Sequence, residues 1–154
     1  MTVYLLALLI GVVAGLRAMI APAMVSWAAH LGLLDLGGTW VAFLDTVWAR
    51  WILTLFAVGE LITDQLPSTP SRTVPVQFGA RIATGALSGA ALGAPHGVMV
   101  GGLCAGAVGA IAGTFGGRAF RARLAASFGR DRPAAIVEDA LAIGAALLIA
   151  VSLF

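Results

Sequence analysis

The sequence predicts an all-α fold, a polytopic transmembrane helix bundle of about five spans forming one domain over residues 1–154. Three observations carry that expectation. Hydrophobic residues make up 60% of the chain and charged residues only 10%, where soluble proteins carry roughly a quarter charged. Mean hydropathy is +1.02. The apolar residues also fall in runs close to the roughly 20 residues that cross a hydrocarbon core of about 30 Å. So much apolar side chain excludes disorder. A net charge of +2 from nine arginines and seven acids is too small and dispersed for a nucleic-acid footprint, so no nucleic-acid partner is expected. Cys104 stands alone and excludes an intrachain disulfide or a cysteine-based metal cluster.

The N-terminus enters an apolar run without the basic leader of a signal peptide, and Arg17 precedes the Ala21-Pro22-Ala23 that imitates a cleavage site. It is read as a retained first span, residues 3–29, with Gly15 and Pro22, which flank Arg17, favouring a helix break inside it. Residues 30–45 contain Gly32, Asp35 and Gly37-Gly38-Thr39, which predict a loop or surface helix. Span two covers residues 47–66 and ends at Pro67-Ser68-Thr69-Pro70. Residues 78–118 as one helix would be about 60 Å long, twice the bilayer, so the chain folds back at Pro95-His96-Gly97. Span three is then 78–94 and span four 98–117, with span three short enough that a re-entrant segment is the alternative. A basic loop over 118–132 follows, and Pro133, suited to a first helical turn, opens span five at 134–154.

Cytoplasmic loops accumulate arginine. Arg118, Arg121, Arg123, Arg130 and Arg132 fall in the loop before span five, whereas the first long loop offers only Arg50. The expectation is a bacterial inner-membrane protein with the N-terminus and the 118–132 loop cytoplasmic and Phe154 outside. Trp27, Trp40, Trp48 and Trp51 then form an aromatic belt at the outer interface.

Twelve of the 20 glycines lie between Gly79 and Gly117. Gly85, Gly89 and Gly93, then Gly109, Gly113 and Gly117, recur every fourth residue and so share helix faces. Such small-residue faces let backbones approach closely. The partners are spans three and four of one chain, or two copies in a homodimer, or the faces line a pore. No strand and no Gly-Lys-Ser/Thr accompany them, which excludes a phosphate-binding loop.

Ionisable groups inside apolar spans are costly, so each is a candidate for function. Arg17 lies about 14 residues into span one, roughly 21 Å along a helix, and needs an anion, a carbonyl cage or water. Glu60 and Asp64 are one turn apart on one helix side, and two stacked carboxylates call for a cation, a proton or an arginine between them. Glu138 and Asp139 begin span five, where the helix dipole welcomes negative charge in the first turn only. With Arg72, Arg81 and Arg118, these four acids gather on the cytoplasmic half as a balanced ionic cluster toward which Arg17 reaches, an expected ion or substrate pathway.

Gly15-Leu16-Arg17-Ala18, Glu60-Leu61-Ile62-Thr63-Asp64-Gln65-Leu66-Pro67 with Ser71-Arg72-Thr73, Gly79-Ala80-Arg81 and Glu138-Asp139-Ala140-Leu141-Ala142 together resemble a widespread family of bacterial multi-pass inner-membrane proteins. That family is catalogued only as a domain of unknown function. The resemblance covers nearly the whole chain and implies the same architecture and the same polar residues. Many members carry a lysine where this chain has Gln65, so a cation at that position is not implied here.

His30 and His96 have no His or Cys at ligand spacing, and no nucleophile elbow is present, so neither a metal, a cofactor nor a catalytic residue is expected. Three function classes remain. A small transporter or channel would pass an ion or small anionic solute along the charges. A structural or assembly subunit would use them to fix helix register. A membrane-embedded enzyme would set carboxylates and arginines on a lipid or phosphorylated headgroup.

Overall fold

The computed structural model describes residues 1–64 and 73–153. Among the described residues the chain is all-helical: α1 (Thr2–Leu16), α2 (Ile20–His30), a 3-10 turn (Trp40–Asp45), α3 (Val47–Thr63), α4 (Pro75–Gly93), α5 (Met99–Phe128) and α6 (Asp131–Val151). Arg72, Phe154, Gln65 and the Pro67–Pro70 turn expected from the sequence lie outside the described residues. By length and composition α5 and α6 suffice to cross a membrane, and α1 is apolar but shorter.

The expected single span over 3–29 is two helices. Pro22 explains why the run cannot continue: in an unbroken helix its ring would meet the carbonyl of Ala18 and its missing N–H would leave that carbonyl unpaired. At the start of α2 Pro22 is harmless, because first-turn amides have no helical partner. Arg17 between the two helices takes an extended conformation (φ −139°, ψ 109°), and the chain reverses. A Cβ placed on Gly101, Gly109 or Gly113 of α5 would strike Tyr4, Leu8 or Val12 respectively, so α1 runs parallel to α5. Met19 meets Glu60 while Trp27 meets Thr54, so α2 runs antiparallel to α3. The N-terminus therefore lies at the Gly97 end of the bundle, opposite residues 118–132, which corrects the expectation that both share one side. Leu6 and Leu9 share an apolar hollow with Leu148 and Ser152, so α6 brings the C-terminal end of the chain to that same end.

Residues 118–132 are not a loop. Alanines, Leu124 and arginines are strong helix formers, and α5 runs through them to Phe128, ending only where Gly129 adopts φ +66°. The start of α6 is two residues before Pro133, leaving the proline in the first turn. The turn between α4 and α5 falls where the sequence placed it, with Gly97 at φ +68°. Residues 31–45 are less superficial than expected. Leu34, Leu36, Val41 and Leu44 are buried, and the buried Ser26 hydroxyl of α2 donates to the Leu44 carbonyl.

The central packing is backbone on backbone. A Cβ on Gly85 would sit 2.7 Å from the Ala110 Cβ, and one on Gly93 2.7 Å from the Val98 oxygen; Gly89 meets Gly102 in the same way. Gly109 and Gly113 instead face Leu8 and Val12 of α1, and Gly117 is buried on α5. The expected pairing of both glycine series across spans three and four is therefore corrected. The α4 series packs on α5, and the second series packs on α1. These faces are occupied within the chain.

Candidate functional site

The reversal at Arg17 frees backbone groups that a continuous helix would have paired. The guanidinium of Arg81, on α4, takes the loose end of α1: its Nη1 donates to the carbonyls of Gly15 and Leu16, 2.7 Å each. The carboxylate of Glu60, on α3, takes the loose start of α2, with Oε1 accepting from the Ala18 amide at 2.9 Å and Oε2 from the Met19 amide at 2.8 Å. The signs suit the helix dipoles, cation at a C-terminus and anion at an N-terminus. Arg81 and Glu60 also face each other at 3.5 Å. The buried Thr114 hydroxyl donates to the Ala110 carbonyl at 2.8 Å and approaches the Gly15 oxygen at 3.4 Å.

Arg17 itself is completely buried. Its Nη1 pairs with Asp64 and its Nη2 with Asp139. Asp64, the C-cap of α3, is shared with Arg121 of α5. Arg121 in turn donates from Nε and Nη2 to Asp131, at 2.9 and 2.6 Å, and lies 3.6 Å from the buried Glu138. The series Asp131, Arg121, Asp64, Arg17 leads from a side chain 63% exposed to one at 0%. Charges this deep persist only when paired, because an uncompensated one costs several kcal/mol, on the order of 3–5.

Arg17, Glu60, Asp64, Arg81, Glu138 and Asp139 thus come together as the sequence grouped them. Arg118 does not join them; it is exposed on α5. Arg121 was read only as part of the orienting loop, yet it takes the central cationic position beside Arg17. The signal that could have found it is its spacing from Asp131, ten residues away across the Gly129 turn.

A cavity of about 310 Å³ opens against the reversal, lined by Ala18, Met19, Glu60, Thr63, Gln77 and Ala80 with apolar neighbours. It brings a carboxylate, a hydroxyl and an amide side chain beside otherwise apolar walls. Among the described residues no group of three or more His, Cys, Asp or Glu side chains is arranged to hold a metal ion. Comparison with family models, curated proteins and solved structures finds no match to this chain.

Proposed function

We propose that the chain is a polytopic helical membrane protein of the bacterial inner membrane in which the charged network at the α1–α2 reversal serves passage of an ion or small solute. The observation that carries this reading is the cavity beside Glu60, which meets the network where a helix is interrupted. Interrupted helices in membranes lie where they line a cavity, and their ends present partial charges to a passenger. The graded exposure from Asp131 to Arg17 supplies a polar approach from one end of the bundle. Residues 118–132, rich in arginine, mark that end as cytoplasmic. The reversal then sets both chain ends on the outer side.

A structural role is the second reading, favoured by the engagement of Glu60 and Arg81 with the backbone of the reversal, which holds helix ends together irrespective of any passenger. Asp139→Asn separates the two. Arg17 keeps Asp64 when Asp139 is neutralised, so folding survives. In liposomes screened for proton, sodium and small-anion flux, passage requires the unaltered protein to conduct and Asp139→Asn to lose most of that flux at nearly unchanged detergent melting temperature. Absence of flux for every probe in the unaltered protein sinks the transport reading and leaves the structural one.

A further inference from the structure

Another buried cation lies far from this network. Arg50 is in the first turn of α3, 14 residues before Asp64 and about 21 Å from it along the helix. It is only 6% exposed. Its Nε and Nη1 are buried with no hydrogen-bond partner among the described residues, and its Cζ stands 5.1 Å from the centre of the Trp27 ring. A cation–π contact favours the charge but gives the N–H donors no acceptor.

An apolar groove begins one helical turn beyond Arg50, at Thr54. Thr54, Ala57 and Leu61 follow Arg50 at helical spacing on the same side of α3, and they line an apolar channel of about 240 Å³ with Ala23 and Trp27 of α2 and Ala146 of α6. Trp27 joins cation and groove: its ring lies against Arg50 and its Nε1 donates to Thr54 at 3.0 Å. Around this end Trp48 and Trp51 are exposed.

We propose that Arg50 and this groove form a binding site for one anionic phospholipid. Two phosphate oxygens would accept the Nε–H and the Nη2–H on the same edge of the guanidinium, the fork that Arg121 makes on Asp131, and one acyl chain would lie along the groove. The charge supplies the argument for the headgroup and the apolar walls the argument for the chain. A free oxyanion would leave the groove unexplained, and a neutral lipid the cation. The site rests on the membrane reading above but is independent of transport.

The test uses the full chain with Trp40, Trp48 and Trp51 changed to Phe, so that Trp27 reports alone. It is reconstituted in phosphatidylcholine vesicles containing, at equal mole fraction, brominated phosphatidylglycerol or brominated phosphatidylcholine. The anionic lipid should quench Trp27 with about fivefold higher apparent affinity. Arg50→Lys, which keeps the charge without the fork, should keep only part of that preference, and Arg50→Gln should lose it. Equal quenching by the two lipids overturns the site while leaving the membrane reading intact; quenching by neither overturns both. Loss of the preference in inorganic phosphate at fixed ionic strength assigns Arg50 to a free oxyanion and overturns the lipid. Should Arg50→Gln not fold, the comparison of the two lipids on the Arg50 protein decides by itself.

Discussion

Glu60→Gln tests whether the reversal is held by a carboxylate. Each oxygen of Glu60 accepts one amide, from Ala18 and from Met19. A glutamine supplies one oxygen and one NH2 group, so one amide loses its acceptor and faces a donor instead. A hydrogen bond to a charged acceptor contributes about 1.5–3 kcal/mol, and the Arg81 guanidinium 3.5 Å away also loses this charge contact. Glu60 retains some exposure, which places the total near the low end of the about 3–5 kcal/mol seen on breaking buried pairs. About 3 kcal/mol corresponds to a fall of roughly 6–12 °C in Tm for a chain of this length. Thermal melting in mild detergent, followed by circular dichroism, measures it. Arg81→Gln should fall comparably, and the double variant by less than the sum of the two, because they share one contact. A Tm for Glu60→Gln within about 1 °C of the unaltered protein refutes the capping argument.

Arg17→Gln leaves Asp64 and Asp139 without the guanidinium between them and should cost about 3–5 kcal/mol. Adding Asp139→Asn should restore a good part of that, read as a rise in Tm over the single variant. Gly106→Leu drives a side chain into the Gly85 carbonyl and should cost about 3 kcal/mol, the upper end of overpacking, whereas Gly59→Ala on α3 meets open space and should gain roughly 0.5–1 kcal/mol. The same melting assay ranks both, and equal Tm values would contradict the close approach. With Cys104 replaced by Ala, single cysteines at Thr2, Ser127 and Ser152 should give labelling of positions 2 and 152, and not 127, when an impermeant reagent meets intact spheroplasts. Labelling of 127 alone reverses the proposed orientation.

Composition and run length made the helical class legible, and Pro95-His96-Gly97 and Pro133 marked their boundaries because both act through local backbone geometry. Pro22 likewise betrayed the break at Arg17. What followed the break was hidden, since an apolar run has no polarity of direction and the reversal is decided by where Leu8, Val12, Met19 and Trp27 find partners far along the chain. The same non-locality hid which glycines meet: Gly113 shares a face with Gly109 in any helix, but its facing Val12 belongs to another helix. Residues 118–128 were misjudged because charge was read as loop, although Arg and Ala favour helix. The acids and arginines of the site stood out by the cost of placing them in apolar sequence. Their pairings, and the part of Arg121, depended on the unseen course of α1 and the extension of α5.

The glycine-mediated contact among α1, α4 and α5 has a mechanical side. Where glycines bring their backbones together, these three helices have few rotamers with which to absorb relative sliding. Helices α2 and α6 meet the rest through alanines with a few larger side chains such as Ile20, Val25 and Ile149, and with α3 through the charges gathered at one end. If the proposed passage opens at the reversal, the movement falls to the helices outside this glycine contact, with its pivot set by whichever ion pairs stay closed.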